Sequence, residues 1–180
     1  MNIWTDVAPI STPASSDGTS LPPPRTCAPM FITVKLPSYP PPYVRSTVSD
    51  TFTPAARALF AKKVLAHIAS LDADGHPHVT PVWVELDGDD IVINTALGRA
   101  KARNLANDDR VAVSIVDPDD NHGVIAVRGT VTGFTTIGAD EVIDRLAMKY
   151  TGEASYPFRR EGEVRVTVRI TPERISMQPK

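Results

Sequence analysis

From Val64 onward the chain is a series of short apolar runs with a period of two, several of them ended by a cluster of Asp and Gly. Such a period puts alternate side chains on opposite faces of a strand, and Asp-Gly clusters supply the backbone conformations that reverse the chain. "VLAHIASL" is one such strand, and "DADG" (Asp72 to Gly75) turns it into a second, forming a hairpin. In "VTPVWVEL" the spacing puts Val82, Val84 and Leu86 on one face, with Trp83 and Glu85 on the other. Pro81 cannot donate to a ladder, so an edge or a bulge is expected there. "DGDD" (Asp87 to Asp90) precedes "IVINT", and "VAVSIV", "VIAVRGTVTGF" and "VRVTVRI" follow, for six strands in all. Short strands joined mostly by tight turns predict a mainly β, antiparallel barrel or sandwich with short flanking helices.

Two helices are legible from their caps and spacing. "TPAARALFAKK" offers Thr53 as N-cap and Pro54 at the first helical position. "ADEVIDRLAMKY" spaces Val142, Ile143, Leu146, Ala147 and Tyr150 along one helix face, with Asp140 and Glu141 near its positive end.

The chain divides near Thr53. Eleven of the seventeen prolines fall in residues 1–54, including two triple-proline runs, and remove the backbone donors that helix or sheet requires. Residues 1–52 are therefore expected to form a proline-rich, disordered tail, and residues 53–180 the folded domain. A ligand for an aromatic groove on a partner, or an upstream start codon, would also account for the tail. The single cysteine, Cys27, allows no disulfide within the chain and no Cys-rich zinc site, which suits a reducing compartment. With neither a basic nor an apolar leader at its start, the protein is expected in the cytoplasm. A net charge of -2 argues against broad nucleic-acid binding, and no apolar run is long enough for a membrane span.

Several familiar chemistries fail on the residues. No GxGxxG or GxxxxGK motif is present, which excludes a Rossmann or P-loop enzyme. "DPDDNH" begins like a calcium loop, but its sixth position is His122 and its twelfth Arg128, so it reads as a solvated turn. His76 and His78 lack a third ligand and predict no metal site, while His67 in its apolar strand reads as a structural histidine. No GxSxG nucleophile is present, so any enzymatic chemistry is expected from a bound cofactor.

"NTALGRAKARNL" is the exception to this even charge distribution. It places Arg99, Lys101 and Arg103 within five residues at the start of a short helix, where free N–H groups and the helix dipole favour an anion. Arg99 can fork onto two phosphate oxygens and Lys101 add a point charge, with Asn94, Thr95 and Asn104 completing the shell. Arg103 lies about 40° round the helix from Arg99, so it either shares the site or faces solvent. A solvated basic face paired with Asp108, Asp109 or a carboxylate elsewhere is the competing reading.

"LDADGHPHVTPVWVELDGDDIVINTALGRAKARNLANDDRVAVSIVDP", followed by "VRGTV", resembles the pyridoxamine 5′-phosphate oxidase-like split β-barrel superfamily, and within it the branch using the deazaflavin coenzyme F420. The resemblance spans about Thr53 to Ile175 and implies a six-stranded, Greek-key, FMN-binding split barrel. It implies that Arg99 and Lys101 grip the cofactor phosphate, helped by Asn94, Thr95 and Asn104. It further implies that His78, Val79, Thr80, Pro81 and Val82 lie beside the tricyclic ring. A homodimer with the cofactor at the subunit interface is implied too, with Trp83 and the "DPDDNHG" loop approaching a ring held mainly by the partner. The expected activity is hydride transfer from reduced F420 to an unsaturated small molecule. FMN in place of F420, or a non-catalytic flavin-, deazaflavin- or tetrapyrrole-binding protein, are the alternatives. Arg159, Arg160, Arg165 and Arg169 keep open a second phosphate cluster of the kind that a pyridoxamine phosphate oxidase needs.

Overall fold

The computed structural model describes residues 47–177. The proline-rich runs and Cys27 lie outside the described residues. In chain order the elements are β1 (Thr47–Ser49), α1 (Pro54–Ala61), β2 (Ala66–Leu71), β3 (Pro77–Val82), β4 (Val84–Asp87) and β5 (Asp90–Ala96). These are followed by α2 (Ala100–Asn107), β6 (Arg110–Asp117), β7 (Asp120–Thr135), α3 (Ala139–Thr151) and β8 (Arg165–Met177). Residues 47–52, assigned to the tail on composition, are partly built into the fold: β1 pairs with the end of β8, and Phe52 is buried with its ring edge-on to Phe60.

The sheet follows the order β3-β2-β6-β7-β8-β5-β4, with β1 added beside β8, and every pairing is antiparallel. Its two ends, β3 and β4, are separated in the chain by Trp83 alone, so the sheet must curl until its edges meet at that residue. Six strands are expected from the sequence; the structure has seven along this path, and β1 beside them. The single strand expected over "VTPVWVEL" breaks at Trp83 because its halves serve different neighbours, β3 pairing with β2 and β4 with β5. Pro81, opposite His67, lacks a donor just before the corner. Two side chains of α3 hold the corner: the Tyr150 hydroxyl accepts from the Val84 N–H at 3.1 Å, and Lys149 Nζ donates to the Val84 carbonyl at 2.8 Å.

Local chemistry explains the turns and caps. Asp72 closes the β2–β3 hairpin, its Oδ1 accepting from the N–H groups of Asp74 and His76. The Thr53 hydroxyl accepts from the Ala56 N–H at 3.2 Å, and Pro54 begins α1 as expected. Ala56, Leu59 and Phe60 form the buried face of α1 at helical spacing. They close one end of a core made by Ile68, Ile91, Ile93, Ile115, Val127 and Val168. Burying a side chain the size of Phe60 contributes ~1.5–3 kcal/mol. β7 and β8 are long enough to bend, and their register shifts near Gly129 and Gly133. A Cβ at Gly129 would stand 2.5 Å from the Thr171 carbonyl oxygen, so only glycine allows this approach.

His67 departs from the expectation of a satisfied core histidine. Alternation in β2 sends Ala66, Ile68 and Ser70 inward, and His67 outward to an exposed position.

Candidate functional site

The basic run sits where β5 leaves the sheet. Gly98, with φ of +80°, turns the chain after Ala96, and the Arg99 N–H donates to the Ala96 carbonyl at 3.3 Å. Helix α2 begins at once, with Arg99 as its N-cap residue, so the first-turn N–H groups of Ala100 and Lys101 have no acceptor within the helix. The start of α2 lies beside the corner at Trp83. A cavity of about 200 Å³ there is lined by Pro81, Val82, Asn94, Arg99 and Lys101, together with Leu65, Trp83, Ile143, Tyr156 and Arg165.

Half of the ten residues expected at the site therefore meet in one cavity: Pro81, Val82, Asn94, Arg99 and Lys101. The other five lie elsewhere. His78 and Thr80 are half-buried on the face of β3 that also carries Val82, and His78 Nδ1 and Thr80 Oγ1 have no hydrogen-bond partner among the described residues. Val79 points the opposite way, exposed, into an apolar groove with Ala112 and Ala126. Thr95 is fully buried on the face of β5 opposite Asn94, and its Oγ1 is likewise unpartnered. Asn104 is buried under α2, its Nδ2 donating to Ser70 Oγ at 3.3 Å, which ties the helix to β2. Arg103 is exposed and donates back to the Gly98 carbonyl.

The structure adds Arg165, Glu163 and Tyr156 to the cluster. Arg165 opens β8 and is 3% exposed, its Nε donating to Asn94 Oδ1 at 2.7 Å and its guanidinium lying 5.0 Å from the Tyr156 ring centroid. Asn94 in turn donates to the Ala139 carbonyl at 2.7 Å, which joins β5, α3 and β8 around the cavity. Glu163 bridges the two guanidiniums: Arg99 donates to Oε1 at 2.5 Å and Arg165 to Oε2 at 3.2 Å. A cation inside the apolar run "VRVTVRI" was the available signal for Arg165, since a buried charge needs partners. Of the other candidates for a second cluster, Arg159 is engaged with Asp140 and Asp144 and Arg169 with Asp87 and Asp90, while Arg160 is exposed.

Lys101 is the unbalanced member. Among the described residues no carboxylate pairs with it. Burial, reinforced by repulsion from Arg99 and Arg165, pushes its ammonium pKa below the ordinary 10.5. Burial alone would raise the Glu163 carboxyl, but the Arg165 and Arg99 guanidiniums outweigh it and hold its pKa below the ordinary 4.5. Three cations against one carboxylate leave the cavity with an excess positive charge, beside the free amides of a helix start. Such a site favours an anion. On the apolar side, Trp83 stacks on Tyr150 at 5.1 Å between centroids and meets Tyr156 edge-on, forming an aromatic wall.

A curled antiparallel sheet with a positively charged cavity beside an aromatic corner defines a split barrel. The chain belongs to the pyridoxamine 5′-phosphate oxidase family, whose model matches residues 52–179. Among solved structures, an F420 reductase is similar at 27% identity and a TM-score of 0.61, over 67% of this chain and 94% of that one. HupZ from Group A Streptococcus (24% identity, TM-score 0.54, covering 71% and 94%) shares the fold. So does a conserved hypothetical protein from Mycobacterium tuberculosis (23%, 0.54, covering 72% and 88%). No curated protein sequence matches significantly. Among the described residues no helix is long and apolar enough to cross a membrane.

Proposed function

We propose that this protein is an F420-dependent oxidoreductase acting on a small unsaturated molecule. The observation that carries the reading is Lys101, a cation with no carboxylate partner among the described residues, beside Arg99 and Arg165 at the start of α2. A phosphate is the anion whose several oxygens suit this set of donors. The likeness to an F420 reductase supports the choice of cofactor. When bound and reduced, F420 supplies a hydride. Arg99 and Lys101 would bind its phosphate, Asn94 would hold the Arg165 guanidinium in place, and Pro81, Val82 and Trp83 would orient and shield the ring end.

The cavity of about 200 Å³ is smaller than the ~300–1,000 Å³ of a complete small-molecule site. It therefore accommodates only part of the cofactor and leaves the remainder for another surface. In a homodimer that surface is supplied by the second copy, which supports the cofactor lying at a subunit interface. Hydride transfer needs little acid–base machinery from the protein beyond holding ring and substrate in contact, with the proton that completes the reduction taken from solvent.

Fluorescence titration of the purified protein with F420 and, separately, with FMN tests the proposal. Micromolar or tighter F420 binding with weaker FMN binding is expected, followed by oxidation of the bound reduced cofactor by an acceptor. The opposite preference would place the protein among FMN enzymes. Binding of F420 without turnover with any acceptor would make it a carrier, and binding of neither would defeat the proposal.

A further inference from the structure

Glu163 stands in the anion site as an anion of the protein's own. It closes the turn from Arg160, its N–H donating to the Arg160 carbonyl at 3.1 Å, with Gly162 in the left-handed region. The next residue is anchored, the Val164 carbonyl accepting from the Leu97 N–H at 2.9 Å. The carboxylate is thus held against two residues that line the cavity, its side chain only 10% exposed and each oxygen taken by a different guanidinium. A carboxylate used only to neutralise Arg99 would not also reach Arg165, and one used only to support buried Arg165 would not engage the half-exposed Arg99.

We infer that Glu163 sets the charge selectivity of the site, disfavouring a doubly charged phosphate monoester relative to a singly charged phosphate diester. Two physical effects act together. Coulomb repulsion from a fixed negative charge scales with the charge of the ligand, so a dianion meets twice the opposition of a monoanion at the same place. Glu163 also uses one N–H of Arg99 and one of Arg165. The donors left free are the same for both esters, but the three terminal oxygens of a monoester need more of them than the two of a diester. The inference rests on the anion site of the proposed function. It bears directly on the choice of cofactor, since F420 carries its phosphate as a diester and FMN as a monoester.

The test uses the full-length protein with dimethyl phosphate and methyl phosphate as probes at pH ~8, above the second phosphate pKa of ~6. Binding is read from the amide shifts of Arg99 to Ala102. Removing the charge in Glu163→Gln should tighten the diester by about threefold and the monoester by about tenfold, the second factor being close to the square of the first. Glu163→Ala should move the ratio in the same direction, while Glu163→Asp should keep that of the wild type. An unchanged ratio in both charge-removing variants, or weaker binding of both esters, would overturn the Glu163 assignment and leave the anion site standing. Failure of both esters to shift these amides in the wild type would remove the anion site, and both readings with it.

Discussion

Lys101→Met separates a functional charge from a structural one. The methionine keeps an unbranched apolar stem of similar length and deletes only the ammonium, which burial and the neighbouring Arg99 and Arg165 disfavour in the protein without ligand. A charge-assisted hydrogen bond to phosphate contributes ~1.5–3 kcal/mol, and because Lys101 is only partly buried the lower part of that range applies. Affinity for F420 should therefore fall by about 10- to 30-fold. The same change should stabilise the free protein by ~0.5–1 kcal/mol, since a charge lacking a partner is removed from a positive cluster. For a chain of this size that raises the melting temperature by roughly 1–4 °C. The sign of the pH dependence follows from the lowered pKa. Between that value and 10.5 the unfolded chain binds the proton more readily than the folded one, so the contribution of Lys101 to stability rises with pH through that window. Below that window its penalty is fully present, and the variant should lack the rise. Fluorescence titration and thermal melts without cofactor measure both halves. A folded variant with unchanged affinity, or one that melts lower than the wild type, would refute the reasoning.

Three further outcomes check the account of the fold and site. Arg165→Met should destabilise the protein by ~2–4 kcal/mol in urea unfolding, because it leaves Asn94 Oδ1 and Glu163 short of a donor in a buried setting, the opposite sign to Lys101→Met. Gly129→Ala should cost ~1–3 kcal/mol by forcing β7 away from the Thr171 carbonyl, read by the same unfolding experiment. The Asp108 carboxyl, hydrogen-bonded by the Arg110 side chain and by the Arg110 N–H, should titrate at about 2 instead of 3.8 in carbon-detected NMR. Its stabilising contribution is then present above pH 3.8 and lost as pH falls through about 2.

The elements that can be read from the chain are those governed by neighbours a few residues away. Thr53 caps α1 because its hydroxyl reaches an N–H three residues on, and the alternation of "VRVTVRI" follows from strand geometry. The basic run is legible for the same reason, since Gly98 and the start of α2 are local features. The break at Trp83 is not, because β3 and β4 diverge only when β2 and β5 are there to receive them. Nor does spacing alone distinguish Asn94, which lines the cavity, from Thr95, which is buried on the other face of β5.

By itself, then, the sequence determined a mainly antiparallel β chain with capped helices and a cation cluster at a helix start, since each of these arises within one turn or one strand. The tertiary structure decided which of those cations remain without a counter-charge. Arg99 meets Glu163 from 64 residues away, while Lys101 meets no carboxylate among the described residues. Charge balance depends on distances across the closed sheet, and composition cannot supply those distances because the local periodicities that fix each element are silent about which elements face one another.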